Sequence, residues 1–262
     1  MPIYYDKPSE EYFTSPGISK SGLDQIAKSP LHYQNWLNTR VAPTAAMAFG
    51  SAVHTMVLEY DSFDDRYILM PEGLNRRTNA GKEAAAEIEA SGKTILTQSD
   101  YDKCRYIFDS IHRHPTASDI FSEGRSEVSV MANVQGIVVK GRTDWFRQGI
   151  LADLKTTQDA SPEEFARSVA KYRYHVQDAV YTDLFDRNSE LIHNFFFIAV
   201  ETSAPYAVKV YELDEQAKEV GRKLYDRDLQ TYIRCSERNE WPGYEEGVTA
   251  LALPRWATFR SD

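Results

Sequence analysis

The sequence predicts an α/β fold: a central mixed β-sheet flanked by helices, preceded by a mainly helical region. Two observations carry this expectation. Helix starts and apolar residues at helical spacing occupy most of the first 115 residues, and three β-rich runs with short joints follow from about residue 125. A long helical stretch, two more β-rich runs and a final helix complete the order, which suits helices packed against one sheet. At 262 residues and 42% hydrophobic content the chain can bury the core of one large domain, so a single domain over 1–262 is expected. Its helical part spans 1–115, and its α/β core, which holds most of the chemistry-bearing residues below, spans 125–236.

In GISKSGLDQIAKSPLHYQNWL, Ser21 is placed to cap a short helix with Leu23 and Ile26 on its apolar side. Ser29 followed by Pro30 starts a second helix. AAMAFGSAVHTMVLEY reads as a largely buried helix through Met47, Val53, Met56, Val57 and Tyr60, with His54 inside it. Residues 61–82, rich in Asp, Asn, Arg and Gly, read as a polar loop, and helices follow over about 84–91 and 99–112. SEVSVMA alternates like a half-buried strand. GIVVKGRTDWF and GILADLKTT follow it across NVQG and RQG, as in an antiparallel meander. SPEEFARSVAKYRYHVQDAVYTDLF opens on Ser161, Pro162 and two glutamates, and Phe165, Val169, Tyr172, Val176 and Val180 give it the stripe of one long helix. HNFFFIAVE and YAVKVYEL read as strands, and the last helix covers about 214–236.

The formal charge of −9 argues against a broadly basic nucleic-acid surface, yet basic residues gather in 66–82 and 167–173. An enzyme that encloses its substrate needs a positive lining, not a positive total. Cys104 and Cys235 are far apart and form no CxxC pair, which excludes zinc and iron–sulfur sites built on cysteine. They suit a reducing cytosol, so a cytoplasmic location is expected. No apolar run approaches the roughly 20 residues of a membrane span, and the N-terminal residues lack the pattern of a secretory signal.

Chemistry concentrates in TDWFRQGILADLKTT, residues 143–157. On a strand, residues two apart share a face, so Asp153 and Lys155 project together while Leu154 faces the core. If the preceding strand pairs across the RQG turn, Asp144 approaches Asp153. Two carboxylates beside a lysine suit Mg²⁺ or Mn²⁺, which take oxygen ligands, polarise a scissile phosphate and generate hydroxide. The lysine would orient or help deprotonate the attacking water and balance charge developing on phosphorus. The spacing alone is weak: with 12 lysines and 39 acids, chance supplies about two acid-x-Lys spacings, and one occurs. An exposed strand carrying opposite charges is the plain alternative. Gln177 and Tyr181, four apart on one helical face, could position a phosphate or water, or form a polar helix edge. His54 could be a hydrogen-bonded core histidine or a third metal ligand.

The ordered set FGSAVHTMVLE, GRTDWF, ADLKTT and YHVQDAVYTDLF, with SKSGLDQIAKSPLHY near the start, resembles the PD-(D/E)xK nuclease superfamily. Within it the similarity is to the RecE (exonuclease VIII) nuclease domain, with lambda exonuclease as a relative, over about residues 18–213. Thr143 stands in place of the motif's proline, and Asp153 is the second acid. The resemblance implies a restriction-endonuclease-like core. It implies that His54, Asp144, Asp153 and the Leu154 backbone carbonyl hold Mg²⁺, for which Mn²⁺ would substitute. It implies that Lys155 activates the water while Gln177 and Tyr181 support the site, and Glu127 stands where some relatives keep a site-facing acid. The implied activity is an exodeoxyribonuclease that digests one strand of linear duplex DNA from its end, 5′ to 3′, leaving a 3′ single-stranded tail for phage or prophage recombination and repair. The implied partners are double-stranded DNA ends, further copies in a homo-oligomeric ring (trimer or tetramer) and a single-strand annealing protein. Arg76, Arg77, Lys82 and Arg142 are candidate DNA contacts or ordinary surface charges. A structure-selective endonuclease on the same fold and a non-catalytic DNA-binding module are the alternatives.

Overall fold

Side-chain caps start most of the helices. In the structure, a computed structural model that describes residues 2–39, 42, 44–71 and 77–253, the first part is mainly helical. It runs β1 (Ile3–Tyr4), α1 (Ser9–Thr14), β2 (Ile18–Ser19), α2 (Lys20–Lys28), α3 (Pro30–Asn38) and α4 (Ala45–Leu58). A 3-10 turn (Tyr60–Ser62), α5 (Phe63–Arg66), β3 (Tyr67–Leu69), α6 (Asn79–Ala90), β4 (Thr94–Leu96), α7 (Gln98–Arg113) and α8 (Pro115–Ser122) follow. The core then runs β5 (Arg125–Val134), β6 (Ile137–Arg147), β7 (Ile150–Thr157), α9 (Pro162–Tyr172), α10 (Tyr174–Asp186), β8 (Asn194–Glu201), β9 (Val208–Glu212) and α11 (Glu215–Arg238).

Several expectations are corrected. Ser19, not Ser21, caps α2, its hydroxyl accepting the Gly22 N–H at 3.3 Å, because the helix already begins at Lys20. The predicted loop over 61–82 holds α5, β3 and the start of α6, and β3 pairs in parallel with β4. Both strands are three residues long, too short to show alternation. Helix α8 was not anticipated. In α4 only the second half is buried; Met47 is exposed, as is Tyr60 just beyond its end.

The main sheet has the order β1-β5-β6-β7-β8-β9, with β2 beside β6. Strands β5, β6 and β7 form the expected antiparallel meander. Strand β8 joins β7 in parallel, as the intervening helices permit, and β9 closes the sheet antiparallel, so the sheet is mixed. Alternate residues feed two cores. Leu151, Phe197 and Ala199 pack with α2, α10 and α11 on one face, while Ala152, Leu154, Ile198 and Val200 pack with α4 and α7 on the other. Leu154 is fully buried. No helix among the described residues is long and apolar enough to cross a membrane.

Two departures from regularity shape the centre of the fold. The β6–β7 ladder covers only Trp145↔Ala152 to Arg147↔Ile150; beyond it the strands part, and β6 pairs with β2 at Val139 and Lys140 instead. The second is the helix expected over 161–185, which is two helices broken at Arg173, a left-handed residue with φ 57°. Tertiary contacts hold the break. The Arg173 guanidinium meets Asp24 of α2 at 3.0 Å and Asp228 of α11. These ion pairs over-determine a conformation that a non-glycine residue adopts at a cost of about 1–3 kcal/mol.

Candidate active site

The next pair after Trp145↔Ala152 would set Asp144 against Asp153. The strands have already separated there, so the Leu154 N–H, freed from the ladder, donates to Asp144 Oδ2 at 2.8 Å. His54 reaches the same oxygen from α4, with its Nδ1 at 3.4 Å. On the α10 side, Gln177 Nε2 donates to Asp153 Oδ1, and Gln177 Oε1 accepts from Lys155 Nζ at 3.1 Å. The Lys155 ammonium also touches Asp153 Oδ2 and sits 4.4 Å from the centre of the Tyr174 ring. Asp144, Asp153, Lys155, His54 and Gln177 therefore converge on the gap between two strands. A helix closes each side, α4 carrying His54 and α10 carrying Gln177.

Charge in the gap is strained by burial. Burial pushes the Asp144 carboxyl well above the usual carboxylate range, and the Asp153 charge adds to it; Lys155 and the Leu154 N–H pull the other way. Burial works against the Lys155 ammonium, but Asp153 and Asp144 outweigh it and hold the amine above its ordinary value. Lys155 is a cation as it stands. Burial lowers His54 against the pull of Asp153, which favours neutral imidazole.

Glu127 stands on β5 opposite Asp144 and lines a separate cavity of about 430 Å³ with Glu59, Arg66 and Arg142. The rungs Ser126↔Trp145 and Val128↔Thr143 flank it, and the rung it would make with Asp144 is missing because Glu127 is left-handed at φ 54°. A non-glycine residue held this way is a local strain that clusters at functional sites. Burial and Asp144 push its carboxyl up to about 7, against the pull of Arg142 at 3.4 Å.

Tyr181 lies one turn beyond Gln177, with its ring 3.0 Å from where a Cβ on Gly141 would sit. It lines a cavity of about 730 Å³ with Asp144, Asp153, Lys155, Gln177 and Lys20. Lys20, Arg173 and Tyr174 also lie at this site; they fall within SKSGLDQIAKSPLHY, the basic stretch 167–173 and YHVQDAVYTDLF, but the sequence reading does not single them out as site residues. Of the basic candidates, Arg142 lines the cavity but is held by the protein: it donates to the carbonyls of Glu127 and Lys7 and to Ser9, and stacks on Tyr12. Its donors bracket the N-terminal segment to the sheet. Arg77 and Lys82 are exposed and do not line this cavity, and Arg76 lies outside the described residues.

Hard divalent cations suit this donor set. Asp153 Oδ2 is buried without a well-directed hydrogen bond, and Asp144 is desolvated beside it, so two acids share one ammonium. A divalent ion would relieve that excess, with Asp144, Asp153 and His54 as the side-chain donors at the gap. Among the described residues no three acidic, histidine or cysteine side chains already surround one point. Asp144 and Asp153 are instead turned to protein partners of their own.

Comparison with known proteins agrees with this architecture. The model of a family described as a PDDEXK-like domain of unknown function (DUF3799) matches residues 19–253. A candidate exonuclease from Eubacterium rectale is 16% identical and aligns over 93% of this chain and 96% of its own, with a TM-score of 0.61, which shows a common fold. A phage-related exonuclease from Haemophilus somnus 129PT is 11% identical over 72% of this chain and 94% of its own; its TM-score of 0.33 carries no argument. No curated protein matches. PDDEXK nucleases generally use divalent metal ions, in keeping with the acids gathered here. The chain, matched over residues 19–253, belongs to the PDDEXK-like DUF3799 family.

Proposed function

We propose that the protein is a metal-dependent exodeoxyribonuclease that digests one strand of linear duplex DNA from its end, 5′ to 3′, and leaves a 3′ single-stranded tail for recombination. The observation that carries this reading is the convergence of Asp144, Asp153, Lys155 and Gln177 in the gap where β6 and β7 part. Mg²⁺, with Mn²⁺ as a substitute, is the expected cofactor, held by Asp144, Asp153, His54 and the Leu154 carbonyl. When bound, such an ion polarises the phosphate and lowers the pKa of water. The chain's own residues supply the rest. Lys155 places a positive charge where negative charge gathers on the phosphoryl oxygens as water adds and the bridging oxygen leaves. Gln177 fixes Asp153 and Lys155 at once, and Tyr181 closes the cavity beside them. Action from an end, the ring-shaped oligomer and the annealing partner all rest on the RecE-type resemblance.

The test uses end-labelled linear duplex and covalently closed circular duplex, with Mg²⁺, Mn²⁺ or EDTA. The linear DNA should be digested with either metal and spared in EDTA, and the closed circle should stay intact. Cutting of the circle would make the enzyme an endonuclease. Survival of both substrates in both metals would leave a non-catalytic DNA-binding module.

A further inference from the structure

Beside the acids, the cleft carries an aromatic ladder. Rings of Tyr181, Phe195, Phe197, Tyr174 and Tyr172 follow one another with centroids 4.8–6.2 Å apart and planes within 25°. The first three belong to the core, but Tyr172 ends the ladder half in solvent, at 50% exposure. A large aromatic ring left open at the end of a stack can be extended by one more flat ring. The Lys171 ammonium lies 5.1 Å from the Tyr172 centroid, and Lys28, exposed at the end of α2, lines the same cavity. The backbone at this point is fixed, since the Tyr172 carbonyl accepts from Lys20 at 2.6 Å and Arg173 is pinned by Asp24 and Asp228.

Position adds to composition. Tyr172, Tyr174 and Lys155 line both the 730 Å³ cavity and a neighbouring cavity of about 490 Å³ bordered by Thr156, Gln158 and Ser168. The tyrosine pair is therefore the wall shared by two cavities that meet at the catalytic lysine. Exposed aromatic faces flanked by flexible ammonium groups are the means by which proteins hold single-stranded nucleic acid without reading its sequence. Interior bases of a paired duplex are stacked on both sides and offer no free face to such a ring.

We propose that Tyr172 stacks an unpaired nucleobase of the strand to be cut, while Lys171 and Lys28 meet its phosphates, so that DNA reaches Lys155 and the two aspartates as an unstacked single strand. This deepens the nuclease reading and rests on it. Lys171 would leave the ring for a phosphate when a base takes its place.

Binding, and not cleavage, tests the proposal. Fluorescence anisotropy in EDTA would measure a labelled thymidine dodecanucleotide and an abasic oligomer of the same length and charge. Tyr172→Ala should raise Kd about tenfold for the base-bearing strand, the order expected for one lost stack, and change the abasic strand by less than about twofold. Tyr172→Trp should restore parental affinity. Equal weakening for both oligomers, no weakening for either, or failure of tryptophan to rescue would overturn it. The outcomes separate from those of the nuclease reading. A protein that binds bases through Tyr172 yet digests no DNA refutes that reading alone, whereas a competent exonuclease indifferent to Tyr172 refutes this one alone.

Discussion

Lys155→Ala is expected to lower the rate of phosphodiester cleavage about a thousandfold, or roughly 4 kcal/mol of barrier. The size follows from where the lysine sits. Its ammonium is held between Asp153, Gln177 and the Tyr174 ring, largely screened from water, where a fixed charge acts more strongly than on the surface. Asp153 and Asp144 hold the amine above its ordinary value, which suits the proposed role of balancing charge on the phosphoryl oxygens. Lys155→Arg should recover little, because a planar fork cannot take the place of a compact ammonium between these partners. Removing Lys155 also leaves a buried acid less well balanced, so unfolding should be followed alongside single-turnover cleavage of end-labelled duplex. A folded Lys155→Ala protein within tenfold of the parent would remove the lysine from the chemistry.

Gly221→Ala is expected to destabilise the protein by about 3 kcal/mol, against the usual sign for that substitution in a helix. Inside a helix alanine is normally better than glycine by about 1 kcal/mol. Here a Cβ at position 221 would stand 2.0 Å from the His175 carbonyl oxygen and 2.6 Å from its carbon, and neither is the movable end of a side chain. Helix α11 must back away from the first turn of α10. The same turn leads to Gln177, which grips Asp153 and Lys155, so cleavage should fall together with stability. For a chain of this size the expected loss is a melting temperature lower by about 6–12 °C, read by circular dichroism. An unchanged or raised melting temperature would mean that the helices do not approach so closely.

Much of this site was legible in residue order. Alternation in residues 125–157 announces a meander, and the RQG turn brings Asp144 toward Asp153, as the register confirms. The two-residue spacing placed Asp153 and Lys155 on one face and Leu154 on the other, where it is fully buried. Other features depend on packing that no local pattern encodes. The strands separate just where the acids sit because β6 exchanges β7 for β2, a strand more than 100 residues earlier. Glu127 and Arg173 take up left-handed backbone that their side chains disfavour, held by Arg142 in one case and by Asp24 and Asp228 in the other. The break at Arg173 interrupts an apolar stripe that continues on both sides of it, so periodicity alone reads straight through. Arg142 looked like a surface cation, and only tertiary structure shows its donors turned inward.

The most direct test of the account is a crystal of the protein soaked in Mn²⁺ and measured for anomalous scattering. Asp144 and Asp153 should release their present partners and share a Mn²⁺ peak in the gap between β6 and β7, with His54 turned to the same ion. Asp144→Asn with Asp153→Asn should abolish the peak. A saturating soak that leaves the gap without anomalous density, or places the ion elsewhere in the molecule, would contradict the assignment of these residues as a metal-dependent phosphodiester-cleaving centre.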